Sequence, residues 1–418
     1  MVGVTGKVDS PRRLSAGTGA VPLALGGMLG AGVFAGPALA AAAAGPWWPL
    51  GLLLGALTAA CAASSTAHQS TSYRGGGAVH ACVRSRMGLV PARIAASAHL
   101  AGHVGALAAV AGVLGGFVAP GAPSRAAAVA ILLVVLASTA GLRIRGGAAW
   151  LWLAVTLAVL ALVVAVCFAI EPVPAAPSGR TVAESAVGTT GGAGVLFFAF
   201  LGFERLTAPA DEHDRVAWTA VRRGAMTGIA GVCVALVVVT AALVHQLGVA
   251  RLALSPTPIL DVLGAAAASG IAPLVSAGAA VALLPVLLGV LEAQRSTALA
   301  VADDGDLPKG LARKGRHGTP YVLDVCAGVA AVVVSSLVEP TSAMAFAACC
   351  MLVHYAFANA GARVLLSEDR TWPTRMACLG MGLSVVLAMS LPVPAMLATL
   401  AVVIIGPVAM GLVSRRWS

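Results

Sequence analysis

Apolar runs of about 20 residues recur from one end of this chain to the other, and nothing else restricts its folding as strongly. A run of that length crosses a hydrocarbon core of about 30 Å as an α-helix. Lipid offers no hydrogen-bond partner to an open backbone, so only helices and closed barrels can span it. Twelve runs can be read, at 18–43, 47–69, 89–118, 126–142, 148–170, 190–209, 219–247, 270–300, 321–338, 341–361, 373–391 and 394–413. The connectors between them are too short to hold a soluble domain. With 59% hydrophobic and 10% charged residues, the sequence is expected to form an all-α polytopic membrane protein with about 12 transmembrane helices.

The net charge of +10 does not indicate nucleic acid as a partner, because the basic residues are placed by topology. If residues 1–17 form a cytoplasmic tail and the twelve spans alternate, 23 of the 26 Lys and Arg residues fall inside. Only Arg125, Arg180 and Arg251 fall outside. A miscounted span would destroy this bias from that point on. The expectation is a multi-pass protein of the cell (plasma or inner) membrane, lipid bilayer around it, with both termini cytoplasmic and 414–418 as the second tail. The stretch PRRLSAG near the N-terminus resembles an export signal, but its removal would undo the charge arithmetic, so the first span is read as retained. Eight cysteines fall almost entirely within the spans without metal spacing, as small apolar packing residues.

Residues 26–37 read GGMLGAGVFAGP, with five glycines and a proline inside the first span. Each glycine costs a helix about 1 kcal/mol and a proline about 3 kcal/mol relative to alanine. A second glycine-marked stretch, GTTGGAGVLFFAFLGFE at 188–204, opens the sixth span, which runs in the opposite direction. Interrupted helices at corresponding places in two halves point to a central binding site. The halves are spans 1–5 (18–170) and spans 6–10 (190–361), joined by an extracellular loop at 171–189 and followed by spans 11 and 12 (373–413). Unwinding at Gly30–Ala31–Gly32 frees amides and turns a helix N-terminus toward the cavity, which suits a carboxylate. Unwinding near Ala199 to Phe203 frees carbonyls, which suits an ammonium group. Close helix packing is the competing use of such glycines, and Gly26-x-x-x-Gly30 and Gly32-x-x-x-Gly36 fit it.

The residues around the two breaks resemble those of amino acid–polyamine–organocation transporters, over about residues 15–415. That family has a G-x-G-[IV]-F segment in span 1, matched by Gly30-Ala31-Gly32-Val33-Phe34, then Gly36-Pro37. Its span 6 pattern is matched by Phe197-Phe198-Ala199-Phe200-Leu201-Gly202-Phe203-Glu204. The pattern after span 8 is matched by Gln294-Arg295, then Ala302-Asp303-Asp304-Gly305-Asp306-Leu307-Pro308, then Thr319-Pro320. The resemblance implies a five-plus-five inverted repeat with broken helices 1 and 6, two added C-terminal helices, and alternating access. It implies an amino acid or amine as substrate, bound at Gly30, Ala31, Gly32, Val33, Phe34, Ala199, Phe200, Gly202, Phe203 and Glu204. Departures from the family pattern are His68 in place of a glutamate, and Asp211-Glu212 followed by Arg215-Val216-Ala217-Trp218 without the usual prolines. Ala158 stands where some proton-coupled members carry a lysine.

Ionisable residues in spans cost about 3 kcal/mol each on insertion scales, so each needs a reason. Glu204 reads as a counter-charge for an amine or a proton carrier, or else as a partner of Arg205. Glu292 lies one helical turn before Arg295, and an internal ion pair between them is expected. His99 and His103 share a face of span 3 at a spacing that can bind zinc. Position 100 is leucine, so the HExxH base is missing, and hydrogen bonding between helices is the expected role. His68, His99, His103 and Glu292 are the candidates for proton coupling or a proton pathway, and His354 has similar status. Asp303, Asp304 and Asp306 lack the ligand ladder of a calcium loop and read as capping and loop geometry.

Neither a P-loop nor an intramembrane catalytic motif is present in the sequence. The expected protein is not an enzyme and needs no cofactor or metal. It is a secondary active permease for amino acids, coupled to protons rather than sodium, or working by exchange. A polyamine or organic-amine transporter and a non-transporting amino acid sensor are the alternatives.

Overall fold

The computed structural model describes residues 21–73, 77–144, 147–172, 186–207, 218–365 and 373–417. Among them the regular structure is helical throughout. The first apolar run is interrupted as α1 (Val21–Met28), α2 (Ala31–Phe34) and α3 (Gly36–Ala44). It continues into α4 (Trp48–Ser72), a connector helix α5 (Ala78–Met87), α6 (Leu89–Val118), α7 (Pro123–Thr139) and α8 (Gly147–Ala169). The second interrupted segment is α9 (Ala186–Phe197), a 3₁₀ turn at Phe198–Phe200, and α10 (Glu204–Thr207). There follow α11 (Trp218–Leu247), the short α12 (Val249–Leu252) and α13 (Pro258–Ala265), α14 (Ala272–Asp303), α15 (Tyr321–Leu337), α16 (Pro340–Arg363), α17 (Thr374–Met389) and α18 (Val393–Trp417).

Seven described helical stretches are long and apolar enough to cross a membrane, and four shorter apolar helices accompany them. Every apolar run of the sequence falls on one of these or on the interrupted α1–α2–α3 segment. The connectors are less bare than their length suggests, since α5, α12 and α13 are folded there. In α6, 78% of the most apolar stretch is buried, against 11% in α18, so α6 is central and α18 peripheral. Leucines and isoleucines cover the outer face of α18 (Leu397, Leu400, Ile404, Ile405), as expected of a surface that meets lipid.

Both interruptions are backbone features with a local cause. Leu29 closes the last bond of α1 onto the Leu25 carbonyl, and the Gly30 amide bonds the Met28 carbonyl at 2.8 Å. Gly30 then takes φ −116° and ψ −147°, and α2 restarts at Ala31. In the second segment Leu201 is extended and Gly202 sits at φ +127°, a conformation open to glycine. The two breaks touch each other. A Cβ on Gly202 would lie 2.6 Å from the Gly27 carbonyl carbon, and one on Gly32 would lie 2.4 Å from Ala199 Cα. Glycine is therefore required here for backbone-to-backbone contact between the two segments.

Candidate functional site: a central cavity between two broken helices

The breaks open onto a small, partly open cavity. One wall is the first break (Gly27, Met28, Gly30, Ala31, Gly32), and another is the second (Phe198, Leu201, Gly202, Glu204, Arg205). Three long helices complete it: α6 with Gly102, His103, Ala106 and Val110, α14 with Val286, Gly289, Val290 and Ala293, and α16 with Met351. Of the residues expected to bind substrate, Gly30, Ala31, Gly32, Gly202 and Glu204 line this cavity. Val33, Phe34, Ala199, Phe200 and Phe203 are buried in the layer behind it. Phe34 packs edge-on against Phe117 at 5.6 Å, and Phe203 lies 5.5 Å from the Tyr355 ring.

Glu204 opens α10 and is the hub of a buried polar cluster. Its Oε2 lies 2.9 Å from His103 Nε2 and 3.6 Å from His99 Nε2. Its Oε1 accepts a hydrogen bond from the Tyr355 hydroxyl. The i, i+4 spacing puts both histidines on one face of α6, with ring centroids 4.3 Å apart. His103 Nδ1 donates to the His99 carbonyl at 2.9 Å. The His354 ring lies tilted against His99 with centroids 4.5 Å apart, and its Nδ1–H donates to the Ala95 carbonyl at 3.0 Å. Glu204, His99, His103, His354 and Tyr355 are all at most 6% exposed.

One alternative reading of Glu204 falls away, and one expected pairing is corrected. Glu204 does not pair with Arg205: the neighbouring side chains diverge, and Arg205 reaches Glu292 Oε2 at 2.6 Å. Arg295 is not the partner of Glu292. It turns into the α7–α15 side of α14, donating Nε to Asp324 Oδ1 at 3.0 Å and Nη2 to Oδ2 at 2.5 Å, while Ser138 also contacts both groups. A fork-on-carboxylate geometry with a facing helix satisfies a buried guanidinium better than an i, i+3 neighbour can. His68 lies apart from the central cluster. It donates to the Ser64 carbonyl at 3.1 Å and lines a smaller cavity with Ser65, Ala362 and Thr374.

The aspartates after α14 serve loop geometry through charge. Asp306, 1% exposed at the side chain, accepts Arg84 at 3.1 Å and Arg93 at 2.5 Å, and Asp304 accepts His80 at 2.9 Å. Arg93 also donates to Ser414, so this network ties α5, α6, the end of α14 and α18 together. Burial lowers the His80 pKa from 6.5, and its bond to Asp304 opposes the shift. Burial also pushes the Cys82 thiol up to about 11. Asp303 is exposed. The motif at Asp211-Glu212 through Ala217, and Arg74 to Gly76, lie outside the described residues.

Tyr355 and the α14 wall were not singled out in the sequence, and Arg205 was named there only as a partner of Glu204. Tyr355 carried a signal, as one of three tyrosines in the chain and a hydroxyl inside an apolar run beside His354. A buried hydroxyl needs a partner, and Glu204 is that partner. Arg205 gave no such signal, because its partner lies 87 residues away on another helix.

The amino acid permease family model matches residues 19–367. Proteins described as "uncharacterized transporter" in Mycobacterium tuberculosis (strain ATCC 25618 / H37Rv) and Mycobacterium bovis are each 34% identical over 419 residues, covering 98% of this chain and 93% of the relative. A branched-chain amino acid permease of Bacillus subtilis (strain 168) is 28% identical over 152 residues, 36% of this chain and 32% of its own length. These matches bear out the resemblance seen around the breaks and make the protein a multi-pass membrane transporter rather than an enzyme. The chain belongs to the amino acid permease family.

Proposed function

We propose that the protein is a secondary transporter of neutral amino acids with apolar side chains, working by alternating access across the cell membrane. The observation that carries this reading is the cavity lining. Its charged side chains are Glu204, Arg205 and His103, and each already has a partner in the protein. A substrate with a net charge would find no counter-charge there. Val110, Val286, Val290, Leu201 and Met351 supply an apolar wall for the side chain. The amides of Ala31 and Gly32 precede the first intrahelical bond of α2 and are the proposed carboxylate contacts. The extended backbone at Leu201–Gly202 is the proposed contact for the amine. Spans 1–5 (18–170) and 6–10 (190–361) form the two inverted halves in this reading, with 373–413 appended and both termini inside. The sequence favours a proton gradient over a sodium gradient as the drive, or exchange.

Counterflow in liposomes tests it. Labelled leucine, isoleucine or valine is expected to accumulate against its unlabelled form, while lysine, putrescine and glutamate are not. Val290→Phe narrows the wall and is expected to lower leucine flux at least about tenfold more than alanine flux. Accumulation of putrescine instead would establish the polyamine reading. Saturable leucine binding without flux would establish the sensor. An imposed pH gradient is expected to raise uptake where a sodium gradient does not.

A further inference from the structure

We infer that His99, His103 and Glu204 form a transition-metal site, of the class that takes Zn²⁺. The three donor atoms, one from each residue, lie within 4.8 Å of one another. Zinc bonds of about 2.0–2.1 Å in a tetrahedron put neighbouring donors about 3.3 Å apart. Two edges of the triangle, 2.9 Å from His103 Nε2 and 3.6 Å from His99 Nε2 to Glu204 Oε2, straddle that spacing.

The surroundings are those of a ligand set. His103 spends Nδ1–H on the His99 carbonyl, which leaves its Nε2 lone pair facing a carboxylate oxygen. Two acceptors in that relation need a cation between them. Tyr355 holds Oε1 and leaves Oε2 as the donor, the outer-shell arrangement that orients metal-bound carboxylates. A proton between His103 and Glu204 leaves His99 unexplained. That ring is 3% exposed, its Nδ1 has no hydrogen-bond partner among the described residues, and its Nε2 stands beyond hydrogen-bond distance from Glu204. A metal on Nε2 gives the ring nitrogen that faces Glu204 a bond of its own, which a proton shared between His103 and Glu204 does not. His103 and Glu204 both line the central cavity, so the fourth position opens toward it, as in sites that keep a water or an exchangeable ligand. Two imidazoles and one carboxylate suit zinc better than the oxygen-seeking magnesium or calcium.

The test uses the full chain, purified in detergent without an affinity tag, stripped with a chelator and titrated with Co²⁺ as a spectroscopic probe. The expected result is visible ligand-field absorption of tetrahedral intensity that saturates at about one equivalent per chain and is displaced by Zn²⁺. His99→Gln removes an imidazole whose Nδ1 has no partner among the described residues, and is expected to weaken binding at least tenfold without loss of the folded protein. His103→Ala and Glu204→Gln are expected to abolish the absorption, and Tyr355→Phe to weaken it about 10-fold. His245→Gln with His317→Gln, away from the cluster, is expected to change nothing. Absence of a saturable spectrum in the wild-type protein overturns the inference, as does a spectrum unchanged in folded His99→Gln. The spectrum is read without transport, so failure of the metal site and failure of the transport reading are separate results.

Discussion

At Gly32 a methyl group has nowhere to go, because Ala199 Cα and Cβ both stand 2.4 Å from where it would sit. At Gly26 nothing lies within 4 Å. Two glycines of one motif therefore answer to different constraints. Gly32→Ala is expected to destabilise the protein by about 1–3 kcal/mol through overpacking, seen as a lower thermal midpoint in detergent together with reduced counterflow. Gly26→Ala is expected to be neutral or to stabilise α1 by up to about 1 kcal/mol. Equal effects at the two positions would show that the contact between the breaks does not hold in the folded protein. Gly30 is intermediate, since its nearest obstacle is a methyl of Val286 at 2.8 Å, which a side-chain rotation can move.

Between elements, buried charge does the joining. Arg295 on α14, Asp324 on α15 and Ser138 on α7 form a triad in which both charged side chains are at most 5% exposed. Removing one partner strands the other in a low-dielectric interior. Asp324→Asn is expected to cost about 3–5 kcal/mol, and the joint change Arg295→Met with Asp324→Leu to recover most of it. Thermal unfolding of the two variants side by side decides the point. The network at the end of α14 is partly exposed at Arg84 and Asp304 and includes His80. Because burial holds the His80 pKa below 6.5, the folded protein binds fewer protons there than the unfolded chain. Its contribution is therefore fully present above about pH 6.5 and is lost as pH falls through the folded value. The thermal midpoint is expected to drop as pH falls below about 6.5, and His80→Gln to flatten part of that drop. An identical pH profile in the variant would remove His80 from the account.

For the molecule as a whole, the prediction concerns orientation. If the basic residues mark the cytoplasmic face, a fluorescent protein fused after Ser418 is expected to fluoresce in intact cells, and alkaline phosphatase fused there to stay inactive. Phosphatase inserted in the 171–189 loop is expected to be active. The reverse pattern at either place would break the count of twelve alternating spans. Within that frame the molecule places its most buried long helix, α6, against both breaks, with α14 and α16 beside it. The proposed substrate site and the cluster at Glu204 then share one set of helices.

How much of this the chain declares without being folded follows from range. Span length, charge asymmetry and the glycine-marked breaks are local properties, because a helix must be about 20 apolar residues long to cross lipid and must break where glycines and prolines collect. The family resemblance around Gly30–Phe34 and Phe197–Glu204 was equally local, and so was the shared face of His99 and His103. Partner choice was not. Glu292 sits one turn from Arg295 in sequence, yet it pairs with Arg205 from another helix, because a long guanidinium is satisfied by whichever carboxylate the packed helices bring into its plane. The meeting of Glu204 with His99, His103 and Tyr355, and the collision course between Gly32 and Ala199, are likewise decided only when α6, α16 and the two breaks are packed together. Periodicity along one helix carries no information about the distance to the next.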